Sequence, residues 1–192
     1  MGADGGSIPG RQDLVPKRTV AEKKNIEACM ASKWRYCRIS GNILELPIVS
    51  CQLGKIYNKT TIYEELIKKR TNELHHLPIH IKSTKNIKQL NLTKNEMFNK
   101  EKIKFNKNIY DRFKACRFKC PITNIEMNGI NGFFYLWTCG CVMSSKLLKE
   151  ISDNVCFNCS TEYCNEDVIT LNPCAVVEKK LLENIHNKKL KK

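Results

Sequence analysis

The feature that most constrains this chain is a pair of cysteine pairs. Cys139 and Cys141 are followed, after fourteen intervening residues, by Cys156 and Cys159. Two close thiolate pairs around a helix-length insert offer four soft ligands to a tetrahedral ion. Because every position is a cysteine, no coordination site stays open, and the reading is one structural zinc, not a catalytic one. The short segment around the pairs has little core of its own. Structural zinc contributes on the order of 10–16 kcal/mol at neutral pH, enough to hold such a segment folded.

The chain has eleven cysteines in 192 residues, an odd number at uneven spacing. Its opening, Met1 to Ser7, has no apolar stretch behind a basic cap and so does not read as a secretory signal. It also misses the myristoylation pattern, with Gly6 where Ser or Thr is required. No apolar run is long enough to span a bilayer. The expectation is a soluble intracellular protein without a membrane partner, in which thiols serve metal or core and not disulfides. Cys29, Cys37, Cys51 and Cys174, away from the cluster, read as ordinary small hydrophobes. Cys116, Cys120 and Cys164 are the residues from which a second metal site could be built.

Charge divides the chain. Lys82 to Lys119 holds twelve basic against three acidic residues, and Glu178 to Lys192 six against two, which together account for nearly all of the net +14. The expected organisation is an extended N-terminal segment at 1–33, a first module at 34–92, a basic linker at 93–112, a second module at 113–173 and a basic amphipathic tail helix at 174–192. In the first module, Ile43 to Val49 reads as extended, and Thr61 with Glu64 forms a capping box opening a helix with Ile62 and Leu66 on its apolar side. In the second, Phe133 to Trp137 reads as a strand. Ser144-Ser145 caps a helix of about three turns bearing Leu147, Leu148 and Ile151, and Val168 to Leu171 reads as a closing strand. The openings Cys37-Arg38-Ile39-Ser40 and Cys120-Pro121-Ile122-Thr123 share a Cys-x-Ile-hydroxyl pattern, which suggests one plan used twice. The fold class is therefore α+β, two small RING/U-box-like ββα modules joined by the basic linker.

Laid on a RING cross-brace, the second ligand pair falls on Cys139 and Cys141 and the fourth on Cys156 and Cys159. The first pair falls on Cys120 and Thr123, and the third on Ser144 and Leu147. One zinc site is complete and the other has lost three of four ligands, so Thr123 and Ser144 hydroxyls and Leu147 packing are expected to stand in for one metal. The first module resembles a U-box through Ile39-Ser40, Leu46 to Val49 and Gly54-x-x-Tyr57. Cys37 and Cys51 alone cannot complete a tetrahedral site, so it is expected to be metal-free.

The ordered series Trp34-x-Tyr36-Cys37, Pro47-Ile48-Val49-x-Cys51-x-Leu53-Gly54, Tyr57-Asn58-Lys59 and His80-Ile81-Lys82-Ser83 continues in the second half. There the matches are Arg117-Phe118-x-Cys120-Pro121, Glu126-Met127-Asn128-Gly129 and Cys139-Gly140-Cys141-Val142. With the Cys156/Cys159 pair, this resembles the replication termination factor 2 family along nearly the whole chain. The resemblance implies a nuclear, non-enzymatic adaptor at replication forks, in fork pausing or termination, with a link to pre-mRNA splicing. The implied partners are replisome or spliceosome complexes. An alternative is a ubiquitin- or SUMO-ligase without its own catalytic residues, paired with a ubiquitin-conjugating enzyme through Ile122. Against it, Ser160 follows Cys159 where an active RING often carries arginine. A further alternative is non-specific nucleic-acid binding through the basic linker and tail, weak because Lys outnumbers Arg by 26 to 7 in this chain. The four histidines form no nucleophile–base pair.

Overall fold

The computed structural model describes residues 29–96, 98, 116–150 and 154–190. Its first sheet is built around a wholly buried run. Strand β1 (Ile48–Cys51) buries all four side chains, as a central strand does when both faces are covered. Strands β2 (Ile56–Asn58) and β3 (Ile87–Gln89) pair antiparallel on either side of it, with Val49 opposite both Tyr57 and Gln89. Helix α2 (Lys59–Arg70) comes directly after β2 and buries Ile62. It begins two residues before the expected capping box. Asn58 occupies the cap position without bonding the helix. Its side chain instead accepts from the Glu45 amide (2.9 Å) and donates to the Ile43 carbonyl (3.1 Å), pinning the preceding loop.

The second sheet repeats that order. Strand β6 (Phe133–Leu136) is central, fully buried, and flanked antiparallel by β7 (Val142–Ser144) and β8 (Val168–Thr170). The helix expected after Ser144-Ser145 does not form as such. Ser144 belongs to β7 opposite Phe133, and the Ser145 amide bonds the Gly132 carbonyl, so the would-be cap residues are held by the hairpin. Beyond them the chain makes a single 3-10 turn, Leu147–Lys149. Leu147 still packs on the core; Ile151 lies outside the described residues.

Two further expectations are corrected, and the expected tail helix is found. The N-terminal segment is not extended to its end: residues 29–35 form a helix, α1, while 1–28 lie outside the described residues. The linker does not begin at 93. Strand β4 (Thr93–Lys94) pairs with β5 (Phe118–Lys119), and buried Asn95 donates to the Cys116 carbonyl (3.1 Å) and Glu126 Oε1 (2.8 Å). The linker's 99–112 lies outside the described residues. The tail is a helix, α3 (Ala175–Leu190), with Leu181 and Ile185 against the core and Glu178 paired with Lys55. Among the described residues no helix is long and apolar enough to cross a membrane.

The two sheets share one core. Buried side chains from both halves form a single cluster, from Cys37 and Ile48 through Phe133 to Leu171. Tyr135 on β6 donates to the Cys51 carbonyl of β1 at 2.9 Å, and Arg117 to the Leu44 carbonyl at 2.6 Å. Trp34 of α1 stands edge-on to Phe133 at 5.5 Å. The turn after β1 explains the close approach. Gly54 has φ +72°, its carbonyl accepts from the Asn172 amide, and a Cβ there would sit 1.9 Å from the Thr170 carbonyl oxygen. The overall class is α+β, built on small antiparallel sheets and three helices.

Candidate metal centre

Three turns with one backbone geometry organise the thiols. In each, the cysteine carbonyl accepts from the amide four residues on, and its amide donates to the carbonyl five residues on. The bonds are Gly41 to Cys37 (3.0 Å) and Cys37 to Asn42 (2.8 Å) in the first turn. They are Asn124 to Cys120 (3.1 Å) and Cys120 to Ile125 (2.9 Å) in the second, and Ser160 to Cys156 (2.7 Å) and Cys156 to Thr161 (2.9 Å) in the third. The residue four after the cysteine is left-handed every time, at φ 68°, 53° and 56° for Gly41, Asn124 and Ser160. Glycine and asparagine enter that region most easily. The residue three after the cysteine is Ser40, Thr123 or Cys159, and this position decides the chemistry.

In the first two turns the sulfur is satisfied by hydrogen bonds. Burial opposes ionisation of Cys37, but bonds from Ser40 and from the Asn58 and Ile39 amides outweigh it and hold the thiol below its ordinary range. Burial likewise opposes ionisation of Cys120, and Thr123 with the Ser144 and Ile122 amides reverses the balance. Thr123 and Ser144 thus meet at Cys120, but through their amides: the Thr123 amide lies 3.5 Å from the sulfur while its hydroxyl is buried without a hydrogen-bond partner among the described residues, so the expected hydroxyl contacts are replaced by backbone ones. Among the described residues, Cys116 and Cys164 are not gathered with Cys120 into a second cluster. Burial pushes the Cys116 thiol up to about 12, with the Glu126 charge adding to it, and Cys164 is exposed.

In the third turn the sulfur faces other sulfurs. The ligand atoms of Cys139, Cys141, Cys156 and Cys159 all lie within 4.8 Å of one another. Cys139 and Cys156 stand 3.8 Å apart, as do Cys141 and Cys159. A tetrahedron with Zn–S bonds of about 2.3 Å has edges of about 3.8 Å, so these separations suit that ion. Without a cation such a cluster cannot ionise together. Burial, with neighbouring Cys141, pushes Cys139 up to about 12, and burial also raises Cys156. Cys159 is drawn down to about 6, first by its bond with the Thr161 hydroxyl at 3.2 Å. A divalent ion resolves that conflict by deprotonating coordinating thiols outright.

Support around the cluster comes from residues that sequence reasoning missed. Asn158 Nδ2 donates to Cys141 Sγ at 3.4 Å. The Cys139–Cys141 loop is clasped by the edge of the first sheet. Lys88 Nζ donates to the Thr138 carbonyl (2.7 Å), the Asn91 amide to the Gly140 carbonyl (2.8 Å), and Asn91 Nδ2 to the Cys139 carbonyl (3.1 Å). Asn91 Nδ2 also lies 3.8 Å from Cys141 Sγ. Such outer contacts orient ligands and tune a metal site. Gly140 between the two cysteines was the one available signal, since a glycine there marks a close backbone approach.

The Rtf2 RING-finger family model matches residues 1–192. The chain is 41% identical over 173 residues to replication termination factor 2 of Sus scrofa and 40% identical over 173 residues to that of Homo sapiens. It is 41% identical over 175 residues to the Gallus gallus protein. Each match covers 90% of this chain and 56% of the relative, so the chain spans somewhat over half the length of those proteins.

Proposed function

The chain belongs to the Rtf2 RING-finger family, and from that premise we propose that it is a zinc-stabilised RING/U-box-like adaptor acting in replication termination. Cys139, Cys141, Cys156 and Cys159 hold one structural zinc ion, whose work is to fix the third turn against the β6–β7 hairpin. The carrying observation is the convergence of these four thiols beside two like-built turns that satisfy their cysteines without metal. All four donors being thiols leaves no position for substrate, which favours docking over catalysis. The site of action is the nucleus, at replication forks, with fork pausing or termination as the process and pre-mRNA splicing as a second setting. The docked partners are replisome or spliceosome assemblies.

Metal content by mass spectrometry, on wild type beside Cys139→Ser and Cys156→Ser, tests the site. One zinc per chain, lost in both variants, is the expected result; two ions or none would overturn it. Fork arrest at a barrier, followed by two-dimensional gels in cells whose own copy is replaced by Cys156→Ser, tests the replication role. Unchanged arrest with the variant stably expressed would count against it.

One observation favours a ubiquitin- or SUMO-ligase as a second reading: Ile122 and Phe157, on the second and third turns, are 42% and 59% exposed. Discharge of a loaded conjugating enzyme, lost in Ile122→Ala, would select it.

A further inference from the structure

Helix α2 buries Ile62 completely, yet its outer side carries Tyr63 at 40% and Ile67 at 62% exposure. Between that side and the segment at 82–84 lies a groove of about 320 Å³, lined by Tyr63, Leu66, Ile67, Lys69, Arg70 and Lys82 together with Ser83 and Thr84. No acidic residue lines it. Among the described residues the ion pairs are Lys55 with Glu178 and Lys68 with Glu65, so the three cations at this rim have no carboxylate of their own. The neighbouring buried carboxylate, Glu65, is committed elsewhere, to Lys68 at 2.8 Å and the His76 amide at 2.6 Å.

We infer that this groove docks a short acidic peptide segment of a partner protein, an aliphatic or aromatic side chain seated against Ile67 and Tyr63 and flanking Asp or Glu carboxylates on Lys69, Arg70 and Lys82. The inference deepens the adaptor reading and rests on it. Charge complementarity chooses the occupant. A second copy of this chain brings +14 of like charge, whereas an acidic segment gains long-range attraction in addition to the rim contacts. The apolar floor argues for a peptide over nucleic acid. Leu66 and Ile67 offer no stacking plane, and single-strand binders set successive bases on aromatic faces, of which this groove has only Tyr63. The two-part lining, apolar floor and cationic rim, also sets the order of contacts, with charge governing encounter and the anchor governing residence.

The test uses the full zinc-loaded chain. Short random peptides are selected against it by phage display, and the enriched peptide is labelled and titrated by fluorescence anisotropy. Wild type is compared with Ile67→Ser and with Lys69→Glu/Arg70→Glu, all solvent-facing changes whose folding is checked by thermal unfolding. Enrichment of sequences pairing an apolar anchor with Asp or Glu, and weakening by about tenfold or more in both variants, is the expected result. No enrichment, enrichment of uncharged or basic sequences, or affinity unchanged in either variant overturns the inference. So does oligo-dT binding abolished by charge reversal and untouched by Ile67→Ser, which would make the surface a nucleic-acid face. Zinc content of every sample is measured alongside. A failed groove with intact metal therefore leaves the scaffold reading standing, and loss of metal signals failure of that reading instead.

Discussion

Substituting alanine for Gly140 and for Gly41 separates backbone strain from the clasp between the halves. Both glycines are left-handed, at φ +77° and +68°. An L-residue there costs about 1–2 kcal/mol, offset by about 0.4–1 kcal/mol because alanine restricts the unfolded chain. Gly41 has nothing within 4 Å of its would-be Cβ, so Gly41→Ala stops near about 1 kcal/mol. At Gly140 the Cβ would lie 2.3 Å from the Gln89 carbonyl oxygen, which is β3 backbone and cannot rotate away. The loop must move off the first sheet, straining the Asn91 bonds to the Gly140 and Cys139 carbonyls. Each is worth about 0.5–1.5 kcal/mol net, so Gly140→Ala is expected to cost about 2–4 kcal/mol in all. That is a large share of the roughly 5–15 kcal/mol that holds a typical protein folded. Urea unfolding followed by tryptophan fluorescence gives the two midpoints, and zinc release to a coloured chelator gives the second readout. Equal midpoints, with equal release rates, would refute the claim that the metal loop depends on the first sheet.

Other outcomes rest on the same contacts. Tyr135→Phe removes the 2.9 Å hydroxyl donor to the Cys51 carbonyl, which keeps the Gly54 amide at 2.8 Å, and should cost about 0.5–1.5 kcal/mol in urea unfolding. The Lys68 ammonium, then the His76 amide, holds the Glu65 carboxyl below its ordinary 4.5. Its contribution is therefore complete above that value and lost as pH falls through the lower folded one. Glu65→Gln should lower stability at neutral pH and flatten the decline below about pH 4.5, as read from melting temperature against pH. Because the core is continuous, chelating the zinc should accelerate amide hydrogen exchange in β1 as well as β6; protection kept in β1 alone would show two independent folds.

The sequence was informative where the signal was local. Phe133 to Leu136 is a run of bulky apolar residues that can only be a buried strand, and it is one. The two close cysteine pairs read as one cluster, and their sulfurs converge. The repeat Cys-x-Ile-hydroxyl marked two turns that share a backbone, though the third, at Cys156, was hidden because its fourth residue is a thiol. What stayed illegible was set by distant partners. Asn91 stands at the edge of a Lys/Asn-rich stretch with no local signal, yet its side chain serves a carbonyl 48 residues away. Ser144-Ser145 has ordinary capping chemistry, and β7 claims it because Phe133 and Gly132 hold it from across the hairpin. Residues 29–33 lack a strong pattern, and their helix is held by Trp34 against Phe133 of the second sheet, a contact far apart in sequence.

The three turns also explain why, among the described residues, the thiols converge in one place. In the first, the amide of Asn58, last residue of β2, reaches the Cys37 sulfur. In the second, the amide of Ser144, last residue of β7, reaches Cys120. These are equivalent positions in sheets of the same order, so in both halves a strand end supplies the donor that a ligand-bound metal would otherwise make unnecessary. In the third turn, among the described residues, no strand-end amide does this. Its Cys156 is met by the amides of its own turn and by the thiols of a loop projecting from β6 and β7. Sulfur facing sulfur offers no net donor, and repulsion between thiolates grows as they ionise. A cation coordinated by the four thiols would hold that loop and that turn together. Since the same loop is bonded on its other side to Lys88 and Asn91, an ion held by the four thiols would sit at the junction through which the third turn is tied to the first sheet as well as the second.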